Sequence, residues 1–104
     1  MARIAFKMKL VSGFEAEYKK RHNEIWPELC RLLKDSGISD YSIFLDEESG
    51  TLFAVQEQNL GKSSQDLGES PIVKKWWAYM ADIMETNVDG SPVTIPLRLM
   101  FHLD

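Results

Sequence analysis

The sequence predicts an α+β fold with the element order β-α-β-β-α-β, on three observations. Apolar and polar residues alternate near both ends of the chain, as in half-buried strands. Two inner stretches instead repeat apolar residues at the period of a helix. Between them lie two apolar runs joined by the turn-like Glu47-Glu-Ser-Gly50, which reads as a hairpin.

Ile4, Phe6, Met8 and Leu10 alternate with Arg3, Ala5, Lys7 and Lys9 to make the first strand. Ser12-Gly13 turns the chain, with Ser12 as the expected helix N-cap. From Phe14 the period changes: Phe14, Tyr18, His22, Ile25, Leu29, Leu32 and Leu33 fall on one side of a helix. Pro27 interrupts it, because proline removes a backbone hydrogen bond and crowds the preceding turn. Trp26, just before it, is pushed out of helical geometry. The expected result is a kink, or two helices with Pro27 in the first turn of the second.

Ser36-Gly37 ends this segment, and residues 41–46 and 51–57 supply the hairpin strands. Residues 61–68 are polar and weakly patterned, a loop with at most a short helical turn. Ser70-Pro71 opens another helix, with Ser70 as N-cap and Pro71 in its first turn. That helix carries Ile72, Trp76, Tyr79, Met80 and Ile83 on one face, with Val73, Trp77 and Met84 on its flank. After a loop at 87–92, Leu97, Leu99, Phe101 and Leu103 alternate with Arg98, Met100 and His102 in an expected final strand.

This order is that of a ferredoxin-like domain, whose helices cover one face of the sheet. Yet the strands carry apolar groups on both faces. Phe44 opposes Ile43 and Leu45, and Phe53 and Val55 oppose Leu52 and Ala54. An uncovered apolar face of that size marks an interface. A symmetric homodimer, packed sheet on sheet, would bury it.

The chain of 104 residues is read as one domain, 1–104. Its hydrophobic fraction of 44% and charged fraction of 27% are those of an ordinary globular protein, not a disordered one. A net charge of −4 argues against a nucleic-acid partner. The single cysteine, Cys30, has no partner within the chain and suits a reducing compartment. The first residues alternate instead of forming a signal-peptide core, and no apolar run approaches the ~20 residues that span a bilayer. A cytoplasmic protein without a membrane partner is expected.

His22 stands one helical turn after Tyr18 on the face expected to be buried. Burying such a pair costs stability unless it is hydrogen-bonded or used. Two readings of His22 stand level: a packing histidine bonded to backbone or water, and a general acid–base near neutral pH. Tyr18 and Tyr41 are either amphipathic core aromatics or hydroxyls that orient a substrate. Trp76, mid-face on its helix, suits the core, whereas Trp77, about 100° round, suits a contact surface. Trp26 shares the ambiguity, with Pro27 favouring a structural role.

No His, Cys and carboxylate spacing suggests a metal site, and there is no phosphate loop or nucleophile elbow. Cys30 has no evident base beside it and reads as a structural thiol. Asp46, Glu47 and Glu48 cluster at a solvated turn. The aromatic surface points to an uncharged, polyhydroxylated substrate.

The same residues carry a resemblance. Ala5-Phe6, Tyr18, Arg21-His22-Asn23, Ile25-Trp26-Pro27-Glu28-Leu29, Tyr41, Leu45-Asp46, Trp76-Trp77, Tyr79-Met80, Asp82, Met84 and Ser91-Pro92-Val93 resemble the L-rhamnose mutarotase family, in register over nearly the whole chain. The resemblance implies a dimeric α/β barrel that interconverts the α and β anomers of L-rhamnose, with no metal or organic cofactor. It implies His22 as proton donor and Tyr18, Tyr41, Trp76 and Trp77 as the lining of the sugar site; mutarotation then has His22 protonating the ring oxygen, with a tyrosine hydroxyl or an ordered water open as carrier of the other proton. The chain departs from the family pattern at 62–68, where a more helical segment with an aromatic residue is expected and Ser63-Ser64-Gln65-Asp66 stands instead. Two other classes stay open, since fold does not decide function. One is a cofactor-free monooxygenase on a dimeric barrel of this topology, the other a non-catalytic sugar-binding dimer.

Overall fold

The structure, a computed structural model, describes residues 2–104. Strand β1 (Ala2–Lys9) leads into helices α1 (Glu15–Asn23) and α2 (Pro27–Asp35), followed by strands β2 (Ile38–Asp46) and β3 (Thr51–Gln58). A single 3-10 turn at Ser64–Asp66 precedes helix α3 (Pro71–Met80) and the short strand β4 (Ile95–Leu97). The result is an α+β fold in which three helices accompany a four-stranded antiparallel sheet of order β2-β3-β1-β4.

The strand periodicity does what it predicts. Phe6 pairs with Ala54 and Met8 with Leu52, while Ile43 and Leu45 meet the same two β3 residues from β2. These side chains share the helix-covered face, where they pack with Tyr18, Leu29, Val73, Trp76 and Met80. The hairpin turn before β3 uses Gly50 at φ +74, and a Cβ there would lie 3.3 Å from the Leu10 carbonyl oxygen. Glycine therefore serves both conformation and close approach.

Pro27 splits the first helical segment in two, as expected. Trp26 is extended at φ −62 and ψ 133, and Pro27 occupies the first turn of α2, where its missing N–H costs nothing. The amides of Leu29 and Cys30 both donate to the Trp26 carbonyl, which starts the new helix. The start of α1 differs from expectation. Phe14, not Ser12, is its N-cap, and no side chain caps it. Gly13 at φ +94 inserts a left-handed step after Ser12, and its N–H is taken by the Glu15 carboxylate instead.

The C-terminal strand is the main correction. Regular pairing ends at Leu97, and residues 98–104 belong to no strand or helix. Past Leu97 the tail departs from the ladder on β1, and the Arg3 side chain meets His102 Nδ1 at 3.1 Å. Leu99, Met100, Phe101 and Leu103 are left exposed. The β1 edge continues to Ala2, yet the tail leaves it, so alternation alone does not hold these residues in the sheet.

The other sheet face is uncovered. Phe44, 64% exposed, pairs with Phe53, which pairs in turn with Lys7, while Ile95 and Leu97 are exposed at the β4 edge. On α3, Val73, Trp76 and Met80 are buried, but Tyr79 turns outward. Among the described residues no helix is long and apolar enough to cross a membrane.

Leu52 is 2% exposed at the centre of the core. Leu52→Ala is expected to lower unfolding stability by about 2–5 kcal/mol, read as a reduced urea midpoint at unchanged slope.

Candidate functional site

A cleft of about 1120 Å³ opens between the helices and the covered face of the sheet. A smaller space of about 40 Å³ adjoins the same side chains. Tyr18, His22, Tyr41, Trp76 and Trp77 line both spaces, so all five residues singled out in the sequence come together.

The α1 backbone sets His22 in place. Its ring stacks on Tyr18, four residues earlier, with centroids 4.3 Å apart and planes 27° from parallel. Trp76 of α3 meets it edge-on at 5.4 Å and 88°. His22 Nδ1 lies 3.1 Å from the Tyr18 carbonyl oxygen. A carbonyl can only accept, so Nδ1 carries the hydrogen of the neutral ring and Nε2 keeps its lone pair. Burial lowers the imidazole below its ordinary value, and the bond to Tyr18 only partly opposes this. At pH 7 the resting ring is neutral.

The two tyrosines are also shifted by burial. It pushes the Tyr18 phenol well above its usual range, with a smaller contribution from nearby Tyr41. Tyr41 is raised by burial too, against a lowering effect from its Ser64 hydrogen bond. Both therefore stay protonated at neutral pH, able to donate to an oxygen-rich ligand.

Trp76 is both core and wall: it is buried, yet borders the cleft. Trp77 is half-buried and rests on the loop after the 3-10 turn, where a Cβ on Gly68 would lie 2.9 Å from its ring. Trp26 is not among the cleft-lining side chains. It packs behind Trp76 at 5.0 Å and stacks on Tyr79 at 5.6 Å, whose ring lies 4.5 Å from the Arg21 guanidinium. Arg21 is tied to Glu17, Asp82 and the Tyr79 carbonyl, which locks α1 to the end of α3.

One polar residue, Gln56, escaped the sequence reading, and Ser64 and Gln65 were noticed only as part of the segment that departs from the family pattern. Gln56 is fully buried on β3, and its side chain grips Ser64, which also contacts Gln65 and Tyr41. A signal was present: Leu52, Ala54 and Gln56 alternate inward, so a glutamine stands at a core position. Among the described residues no group of three or more His, Cys, Asp or Glu side chains gathers as a metal site would require. Cys30 is half-buried and free. What the arrangement offers is one uncharged imidazole with an open lone pair, two phenol donors and two indole faces around a water-accessible space.

The profile of the L-rhamnose mutarotase family matches residues 3–103. Proteins named L-rhamnose mutarotase from Phocaeicola vulgatus and Bacteroides thetaiotaomicron are each 60% identical to the chain over 104 residues, with 100% of both sequences covered. A crystal structure of an L-rhamnose mutarotase from Formosa agariphila superimposes with a TM-score of 0.93 at 54% identity, again over 100% of both chains. With the profile running through Tyr18, His22 and the tryptophan pair, and relatives aligned end to end, this chain belongs to the L-rhamnose mutarotase family.

Proposed function

We propose that this protein is an isomerase that interconverts the α and β anomers of L-rhamnose by acid–base catalysed opening and closing of the sugar ring. The observation that carries the reading is the His22 ring, neutral and clamped between Tyr18 and Trp76, with its Nε2 lone pair free beside a cleft with room for a sugar. The relatives described above all bear the mutarotase name. They lend no support to a monooxygenase or to a non-catalytic sugar binder.

Ring opening must remove the proton from the anomeric hydroxyl and place one on the ring oxygen as the bond to the anomeric carbon breaks. Both oxygens sit on that one carbon, so a single Nε2 can serve them in turn. His22 takes the anomeric proton, the ring bond breaks to give the aldehyde, and the imidazolium returns the proton to the ring oxygen. Rotation about the C1–C2 bond exposes the other carbonyl face. Reversal of the same steps then gives the other anomer. No proton is gained or lost, and His22 remains the donor to the ring oxygen. Trp76 and Trp77 pack on the C–H faces and methyl group of the sugar, and Tyr18 and Tyr41 bond its hydroxyls.

The assembly in this reading is a homodimer of ferredoxin-like domains packed sheet on sheet as an α/β barrel. The exposed Phe44, Ile95 and Leu97 and the apolar tail support it, since a monomer would leave them in water. A cytoplasmic setting accords with the single cysteine.

His22→Ala is expected to lower the catalysed exchange rate by about 10²–10⁴-fold, measured by saturation-transfer NMR between the two anomers. A variant as fast as the parent sinks the assignment. The neutral ring is the active form and its titration lies below the ordinary value of about 6.5. kcat/KM should therefore stay level above neutrality and fall only as acid protonates His22; a fall on raising the pH through 7 would mean that imidazolium starts the reaction. Phe44→Asp is expected to convert a dimer to folded monomer in sedimentation velocity, with unchanged mass refuting the sheet-on-sheet interface.

A further inference from the structure

The buried polar group beneath Tyr41 has a direction built into it. Gln56, at 0% exposure, occupies an inward position on β3 that neighbours such as Leu52 and Ala54 fill with apolar side chains. An unpaired amide there would be costly, and this one is paired at both ends. The Ser64 backbone N–H lies 2.9 Å from one end of the amide. That N–H can only donate, so the atom it meets is Oε1. The other end is then Nε2, which donates to Ser64 Oγ at 3.0 Å.

Gln65 Nε2 donates to the same oxygen at 3.2 Å. With both lone pairs of Ser64 Oγ engaged, its one hydrogen is left for Tyr41 Oη, 3.4 Å away. That separation is long for an O–H···O bond; its direction is set by the two donors that Ser64 Oγ already accepts from. The turn that carries Ser64 is itself held by a capping box between Ser63 and Asp66. Tyr41 Oη, having accepted from Ser64, has its own hydrogen free for an oxygen in the cleft.

We propose that Gln56 and Ser64 are positioning residues that set the Tyr41 hydroxyl as a one-way hydrogen-bond donor to an oxygen of the bound sugar, an inference that rests on the mutarotase reading above. The backbone amide of residue 64 is the fixed end of this relay, and the sugar oxygen is the far end. Within residues 62–68, where the resemblance leads one to expect a more helical segment with an aromatic residue, Ser64 and Gln65 thus give the cleft a polar border instead. Neither Gln56 nor Ser64 needs to touch the reacting atoms. Their effect is on how firmly a correctly placed sugar oxygen is held.

A double-mutant cycle with Ser64→Ala and Tyr41→Phe, followed by anomer-exchange NMR over a range of L-rhamnose concentrations, tests this. Ser64→Ala is expected to raise KM about three- to ten-fold, with a smaller change in kcat. In the Tyr41→Phe background it should change KM less than about two-fold, because the hydroxyl it acts through is gone. An equal KM penalty in both backgrounds, or none in either, overturns the proposal, since packing alone would act regardless of Tyr41. Should Ser64→Ala not fold, Ser64→Cys keeps the side-chain volume with a weaker hydrogen bond and is judged by the same criteria. The parent protein separates the two levels of failure. If it does not accelerate exchange, the mutarotase reading falls; if it does and the cycle is additive, only the relay falls.

Discussion

The site depends on a histidine ring that its own helix holds in place. Four residues separate Tyr18 from His22, so one turn of α1 both stacks the two rings and brings the Tyr18 carbonyl to Nδ1. Stacking and the backbone bond offset the cost of burying an imidazole. They also decide its chemistry, because the bonded Nδ1 leaves the lone pair on Nε2. Burial then keeps the ring neutral at pH 7. Packing, tautomer and protonation state thus follow from one helical turn.

That turn can play this part because the helix stops soon after it. Proline at 27 ends α1 at Asn23 and restarts the chain as α2, with the extended Trp26 between them. Trp26 then packs behind Trp76, whose edge completes the clamp on His22. Arg21 ties the same stretch to the end of α3 through Asp82 and the Tyr79 carbonyl. A continuous helix would carry Trp26 elsewhere and leave Trp76 without that support. The break is therefore part of the site's architecture.

The sheet divides the molecule's work between its faces. The covered face holds the core and, at one end, the cleft; the open face carries Phe44, Phe53 and Val55. Within the cleft, aromatic walls adjoin the polar Ser64 and Gln65, which Gln56 anchors from the core beneath. Such a pairing matches a sugar, which has apolar C–H faces and hydroxyl edges.

Local pattern alone determined much of this protein. The Tyr18–His22 spacing, the break at Pro27, the hairpin around Gly50 and the buried place of Trp76 were all legible, because each depends on residues within a turn or two of one another. The Ser64 and Gln56 pairing was not, although the glutamine stood at a core position, because two segments had to meet before the amide found its partners. Tyr79 fits the helix stripe yet faces outward, since Trp26 and Arg21 offer it a better contact than the core does. The alternation past Leu97 looked like a strand and is not one: pairing stops at Ala5, and the tail's apolar side chains are left exposed instead of packed on the sheet. Sequence periodicity decided which side chains share a face of each element; only the packing of those elements against one another decided which faces meet, and so which groups surround the cleft.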